Sequence, residues 1–144
     1  MRNTAIMKLR EGHHSLVVAS VGEIRVFDGR GVADLYRLYT DGTASLRGAF
    51  VADKVVGKGA AALMVLGGVA GVHAEVISRP AFSLLEEAGI DASYGTLVPH
   101  IVNRAGTGMC PLETRCLPCA TAAECLGQID VFVREIKAHA AKQA

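Results

Sequence analysis

Two short segments carry side chains in the order that zinc-dependent deamination of a base requires. Residues 73–75 read His-Ala-Glu, where the imidazole would bind zinc and the carboxylate would transfer protons, and residues 116–119 read Cys-Leu-Pro-Cys. The second segment departs from the pattern, because the proline should precede the first cysteine and Pro118 precedes the second. The first departs too, because β-branching and alternation around it predict a strand and not a helix start. We therefore expect no zinc-dependent deamination.

Four cysteines lie within a span of 16 residues near the end of the chain, and these are Cys110, Cys116, Cys119 and Cys125. Structural zinc usually has two Cys-x(2–4)-Cys pairs, and only one is present here. The plant-type iron–sulfur spacing differs from this one by a residue. The sequence leaves three roles open: all four cysteines hold zinc or an iron–sulfur cluster, they stay free or reversibly oxidised, or one is catalytic. Cys110 is the catalytic candidate, because Pro111 after it predicts a helix start, where a thiol is more reactive.

Two predicted helices begin directly after apolar segments, and each beginning carries a basic residue. Lys58 follows Gly57 at one beginning, and Arg79 lies at the other, while Asp53 and Lys54 lie on the segment that leads into the first. Helix N-termini present free N–H groups and a partial positive charge, which favour an anion. We predict a crevice that binds a small anionic or nucleotide-like ligand, with Asp53 as its catalytic carboxylate. The alternative is that both basic residues are solvated and the glycine only permits close packing.

A second wall of this crevice is predicted from the polar segment His100, Asn103 and Arg104 and the Gly-Thr-Gly at residues 106–108. Open α/β sheets bind ligands outside the carboxyl ends of their strands, where this segment is expected to lie. Turn formation alone would also explain the two glycines.

Composition limits the classes of function. The chain has 144 residues, which fit one domain over 1–144, and its net charge of +1 offers no field for nucleic acid or an anionic membrane. The most apolar stretch, residues 59–72, is shorter than the ~20 residues of a membrane span, and the N-terminal residues lack the apolar run of a signal peptide. We expect a cytoplasmic protein, and the sequence leaves its oligomeric state open, a homo-oligomer included.

Hydrophobic periodicity predicts helices and strands that alternate after an initial hairpin. The predicted elements are a helix over 4–11, a hairpin of 15–20 and 23–27, a helix over 32–39, a helix over 60–66, a strand over 72–78, a helix from 79 to 86, an irregular strand over 90–102, a short helix over 111–116 and a final helix from 121. This order predicts a three-layer α/β/α sandwich with a mixed sheet.

Two stretches resemble a known family: GAFVADKVVGKGAAALMVLGGV at residues 48–69 and TLVPHIVNRAGTGMCPLE at residues 96–113. They are similar to the bacterial proteins of domain of unknown function 1893, from about Leu9 to the last helix. The resemblance implies a cytidine-deaminase-like fold and no established reaction. It also implies that the helices starting near residues 57–58 and 78–80 lie where a deaminase places its zinc ligands, which neither segment supplies. An uncharacterised ligand-binding domain is therefore expected, with a cysteine protein that binds metal or carries sulfur, or a module without chemistry, as alternatives.

Overall fold

Strands and helices alternate along the chain in a computed structural model that describes residues 2–29, 31–41, 46–103 and 105–143. For residues 142 and 143 it describes the backbone alone. The strands are β1 (Leu16–Ser20), β2 (Glu23–Phe27), β3 (Phe50–Val56), β4 (Gly71–Ser78) and β5 (Asp91–Val98). The helices are α1 (Arg2–Glu11), α2 (Ala33–Thr40), α3 (Lys58–Gly67), α4 (Arg79–Glu87), α5 (Pro111–Cys116) and α6 (Ala122–Gln143).

The five strands form one mixed sheet in the order β2-β1-β3-β4-β5. β1 is antiparallel to both of its neighbours, whereas β3, β4 and β5 are parallel and are joined by α3 and α4. The predicted hairpin and the predicted mixed sheet are therefore confirmed. The irregular strand expected over 90–102 ends earlier, at Val98, because Pro99 interrupts it, and Val102 pairs only with Met109 in an isolated bridge.

Helices pack on both faces of the sheet. α1 covers one face, where Ala5 and Leu9 pack against Val17 and Phe50 in a small core. The other helices contribute to a larger core on the opposite face, centred on buried residues of α3 such as Leu63. A sheet flanked by helices agrees with the predicted α/β architecture.

In the three parallel strands, the alternation of side chains between the two faces of the sheet shifts by one residue, and we call this shift the slip. Side chains five positions apart should lie on opposite faces of a strand, yet three such pairs pack against the same larger core. The pairs are Val51 with Val56, Val72 with Ile77, and Ala92 with Leu97, and the register aligns them across the sheet. Gly95 lies within the slip, where a Cβ atom would be 2.8 Å from the carbonyl oxygen of Glu75. Asp53 lies one row before Gly95, opposite Ala74 of β4, which is in turn opposite Tyr94 of β5.

Within the described ranges, no helix combines the length and the apolar character needed to cross a membrane.

Candidate functional site

A pocket of about 560 Å³ opens where the hairpin ends meet the carboxyl end of β3. The register explains the meeting, since Leu16 pairs with Phe27 on one side and with Asp53 on the other. This volume lies within the usual range for small-molecule sites. We name it the His–Asp pocket; its polar and cysteine side chains are His13, His14, Ser15, Asp28, Asp34, Asp53, Lys54, Cys110 and Glu113.

Four of the residues predicted from the sequence line the His–Asp pocket: Asp53, Lys54, Gly57 and Cys110. Asp53 is half-buried, and burial raises the pKa of its carboxyl group to about 7, against the opposing effect of hydrogen bonds from the backbone of Val55 and Lys54. Near neutral pH this carboxyl group exists in both protonation states. It can therefore give or take a proton.

A second polar feature of the pocket is a hydrogen-bonded pair of side chains that links the two ends of the hairpin. The Nδ1 atom of His14 lies 2.6 Å from Oδ1 of Asp28, and the carboxylate orients the imidazole. Ser15 fixes the same junction, because its backbone N–H and its hydroxyl group both donate to the carbonyl oxygen of Phe27. Sequence reasoning missed this pair, although polar residues just outside both strands of a predicted hairpin are a usable signal.

Asp34 closes the side of the pocket nearest α2. Its carboxylate accepts hydrogen bonds from the backbone N–H of Gly29 at 3.1 Å and from Arg37 at 2.7 Å. A Cβ atom at Gly29 would lie 2.2 Å from the Asp34 carboxylate, so glycine permits this contact. Asp34 thus holds the turn that follows Asp28.

Glu113 places a carboxylate of the protein itself at the N-terminus of α3. Its side chain is buried, with Oε1 accepting from the backbone N–H of Lys58 and Oε2 from that of Ile101, both at 2.8 Å. The positive end of α3, where the sequence predicted an external anion, therefore already contacts an internal one. Sequence reasoning missed this residue because its partners are 55 and 12 positions away.

The Lys58 side chain turns away from the pocket. It is buried, and its Nζ donates to the carbonyl oxygens of Leu117 and Cys119. These carbonyls follow the last turn of α5, so the ammonium group stabilises that helix end. Arg79 is exposed and lines a different, shallow depression that it shares with His100. The structure therefore does not bring Lys58 and Arg79 together in one pocket.

The rest of the predicted second wall is built into its own loop. The side chain of Asn103 donates to Thr107 Oγ1 and accepts from the backbone N–H of Thr107. Arg104 lies outside the described residues. Ligand binding by His100 and Asn103 stays a prediction.

The four cysteines separate into two places, and all four are free. Cys110 precedes α5 and lines the His–Asp pocket. Cys116, Cys119 and Cys125 lie together beside Lys58, and we name them the thiol cluster. In the ranges that the structure describes, no three side chains of His, Cys, Asp or Glu are arranged as metal ligands. Within those ranges, this arrangement gives no support to the predicted zinc or iron–sulfur site on all four cysteines.

The two halves of the deaminase-like pattern lie on opposite faces of the sheet. His73 alternates with Val72 and Ala74, which face the larger core that also contains the buried cysteines, so His73 faces α1. It shares a 2.8 Å hydrogen bond with Ser93, and burial lowers its pKa. His73 thus serves the packing of α1 on the sheet.

Comparison with known proteins supplies a family. No curated protein matches the chain. A solved structure that is similar is the crystal structure of a DUF1893 family protein (TM1506) from Thermotoga maritima, with 28% sequence identity and a TM-score of 0.82 over 93% of this chain and 88% of that one. Residues 4–133 match the TM1506 family, a domain of unknown function (DUF1893). The chain therefore belongs to the DUF1893 family.

Proposed function

We propose that this protein binds a small molecule through a nucleobase-like edge in the His–Asp pocket, and that Asp53 exchanges a proton with it. The observation that carries the proposal is the half-buried Asp53 carboxyl group in a cavity of small-molecule size, with its pKa raised by burial to about 7. Groups with such pKa values in a cleft are concentrated at functional sites. We also propose that the protein is cytoplasmic and that its fold is cytidine-deaminase-like. The mixed sheet flanked by helices supports the proposed fold.

The charges around the pocket favour hydrogen-bond donors over phosphate. Four acidic side chains line it: Asp28, Asp34, Asp53 and Glu113. Among the described residues of the lining, Lys54 is the single lysine or arginine. Glu113 also occupies the end of α3 where a phosphate would gain most. A phosphate would meet repulsion from these carboxylates, whereas an amino group would not. The nucleotide-like ligand predicted from the sequence therefore fits through its base and not through its phosphate.

A protonated carboxyl group can donate one hydrogen bond and accept another. This pair of functions matches the ring nitrogen and neighbouring amino group of adenine or cytosine. Once Asp53 loses its proton, the donor is lost. Affinity is therefore expected to decrease as the pH rises through about 7.

The test is titration calorimetry with adenine, cytosine and inorganic phosphate as separate probes. We expect at least one base to bind the unaltered protein with an affinity that decreases as the pH rises through about 7, and Asp53→Asn, whose amide donates and accepts at every pH, to lose this pH dependence. Asp91→Asn is the matched control, because Asp91 is exposed on β5, where it pairs with Arg2. A decrease of base affinity with pH that persists in Asp53→Asn, or binding of phosphate alone, would contradict the proposal.

A further inference from the structure

The thiol cluster joins three sulfur atoms of different accessibility. Cys116 ends α5 and Cys125 lies in the first turn of α6, and both are fully buried in the larger core. Cys119 lies in the turn between the two helices and is only partly buried. Exposed residues, Leu117 and Ala120 among them, flank it. A reagent in solution therefore reaches Cys119 first.

The surroundings of Cys125 favour negative charge on its sulfur. Hydrogen bonding to Cys116 lowers the pKa of the Cys125 thiol to about 7, and the Lys58 ammonium group and a hydrogen bond with Cys119 act in the same direction. Burial and the charge of Cys125 raise the pKa of Cys119, and the hydrogen bond with Cys125 raises that of Cys116. Cys125 is thus the hydrogen-bond acceptor of the cluster.

Lys58 cannot leave the cluster easily, because its Nζ is held by the carbonyl oxygens of Leu117 and Cys119. The same two bonds fix the backbone on either side of Pro118. The ammonium group therefore sits beside the sulfur atoms as a permanent part of the fold. The His–Asp pocket uses none of these three cysteines among its lining residues.

We propose that Cys119 and Cys125 form a reversible disulfide when the protein meets a small hydroperoxide, which makes the thiol cluster a redox site separate from the His–Asp pocket. Cys116 keeps its thiol in this reaction. Its position at the end of a helix, in the core, leaves it without the access that Cys119 has.

The first step forms a sulfur–oxygen bond. The Cys119 sulfur attacks one oxygen of hydrogen peroxide, and the proton of the Cys119 thiol passes to the Cys125 thiolate. The O–O bond breaks, and the other oxygen leaves as hydroxide. In the second step the Cys125 sulfur attacks the Cys119 sulfenic acid. The S–S bond forms, the S–O bond breaks, and the hydroxyl group leaves as water with the Cys125 proton. The two cysteines lose two electrons, and the peroxide gains them.

The experiment treats the reduced full-length protein with one equivalent of hydrogen peroxide, alkylates the remaining thiols and cleaves the denatured chain with a protease specific for glutamate. Cleavage after Glu113, Glu124 and Glu135 places Cys116 and Cys119 on peptide 114–124 and Cys125 on peptide 125–135. We expect these two peptides to be joined by a disulfide that a thiol reductant cleaves. Fragmentation of the joined pair in the mass spectrometer locates the bond in the unaltered protein.

Three variants identify the cysteine that reacts. Cys119→Ser should lose the joined peptides, whereas Cys116→Ser and the pocket variant Cys110→Ser should retain them. Far-UV circular dichroism checks that each variant is folded. The proposal is overturned if the bond joins Cys116 to Cys125, if it persists in folded Cys119→Ser, or if all four thiols of the unaltered protein are still alkylated after peroxide treatment.

Discussion

Replacing Asp53 by asparagine should make the stability of the protein less dependent on pH. The folded state raises the pKa of Asp53 from 3.8 to about 7, so the folded protein holds a proton that the unfolded chain has released. Stability from this group is fully present below the unfolded pKa, decreases as the pH rises, and is lost above about 7. The shift of about 3 pH units corresponds to about 4 kcal/mol at 1.36 kcal/mol per unit. Because the carboxyl group borders the open pocket and keeps some water, we expect about half of this, ~2 kcal/mol.

Urea denaturation near pH 4 and near pH 8 measures the effect. The free energy of unfolding of the unaltered protein should decrease by ~2 kcal/mol more between these pH values than that of Asp53→Asn. Other titrating groups, such as His73, contribute to both proteins and cancel in the difference. An equal pH dependence in the two proteins would refute burial of Asp53 as the cause. A larger decrease in the variant would refute its sign.

Two further substitutions test the packing around the site. Glu113→Gln should lower the free energy of unfolding by about 2 kcal/mol, because a neutral amide replaces a buried carboxylate that accepts from two backbone N–H groups. The control Glu135→Gln removes an exposed ion pair and should lower it by less than about 1 kcal/mol. Equal losses in urea denaturation would contradict this role of Glu113. Gly95→Ala should destabilise by about 1–3 kcal/mol, because its Cβ would lie 2.8 Å from the Glu75 carbonyl oxygen. The control is Gly127→Ala inside α6, where a Cβ atom would have no neighbour within 4 Å, and it should raise the melting temperature. A similar rise in Gly95→Ala would show that the strands can move apart there without cost.

Local sequence signals predicted most of the elements, because their causes are local. Pro111 predicted the short helix α5, and Pro80 with Gly89 bounded α4 to within a residue or two. Thr121 and Glu124 form the expected cap of α6, with Thr121 Oγ accepting from the Glu124 backbone. The slip in the parallel strands was not predicted, because it depends on neighbouring strands that shift together and not on any one segment.

The candidate site was predicted only in part, because its charges are paired across long distances in the chain. Asp53 and Cys110 do reach one pocket, as the order of strands and helices implies. Lys58 was expected to meet a ligand, and its two carbonyl partners lie 59 and 61 positions later. Neither that pairing nor the link between His14 and Asp28 follows from local periodicity.

Glu113 has a consequence for any anion that approaches α3. Its carboxylate is tethered by the chain, so it meets the helix end at an effective concentration in the millimolar range or above, whereas a free anion must compete from solution. A free anion would displace it only with an affinity high enough to overcome that advantage and the cost of leaving a buried carboxylate without its donors. The helix end is thus selective by competition, and common cellular anions at low concentration are excluded from it without any steric barrier.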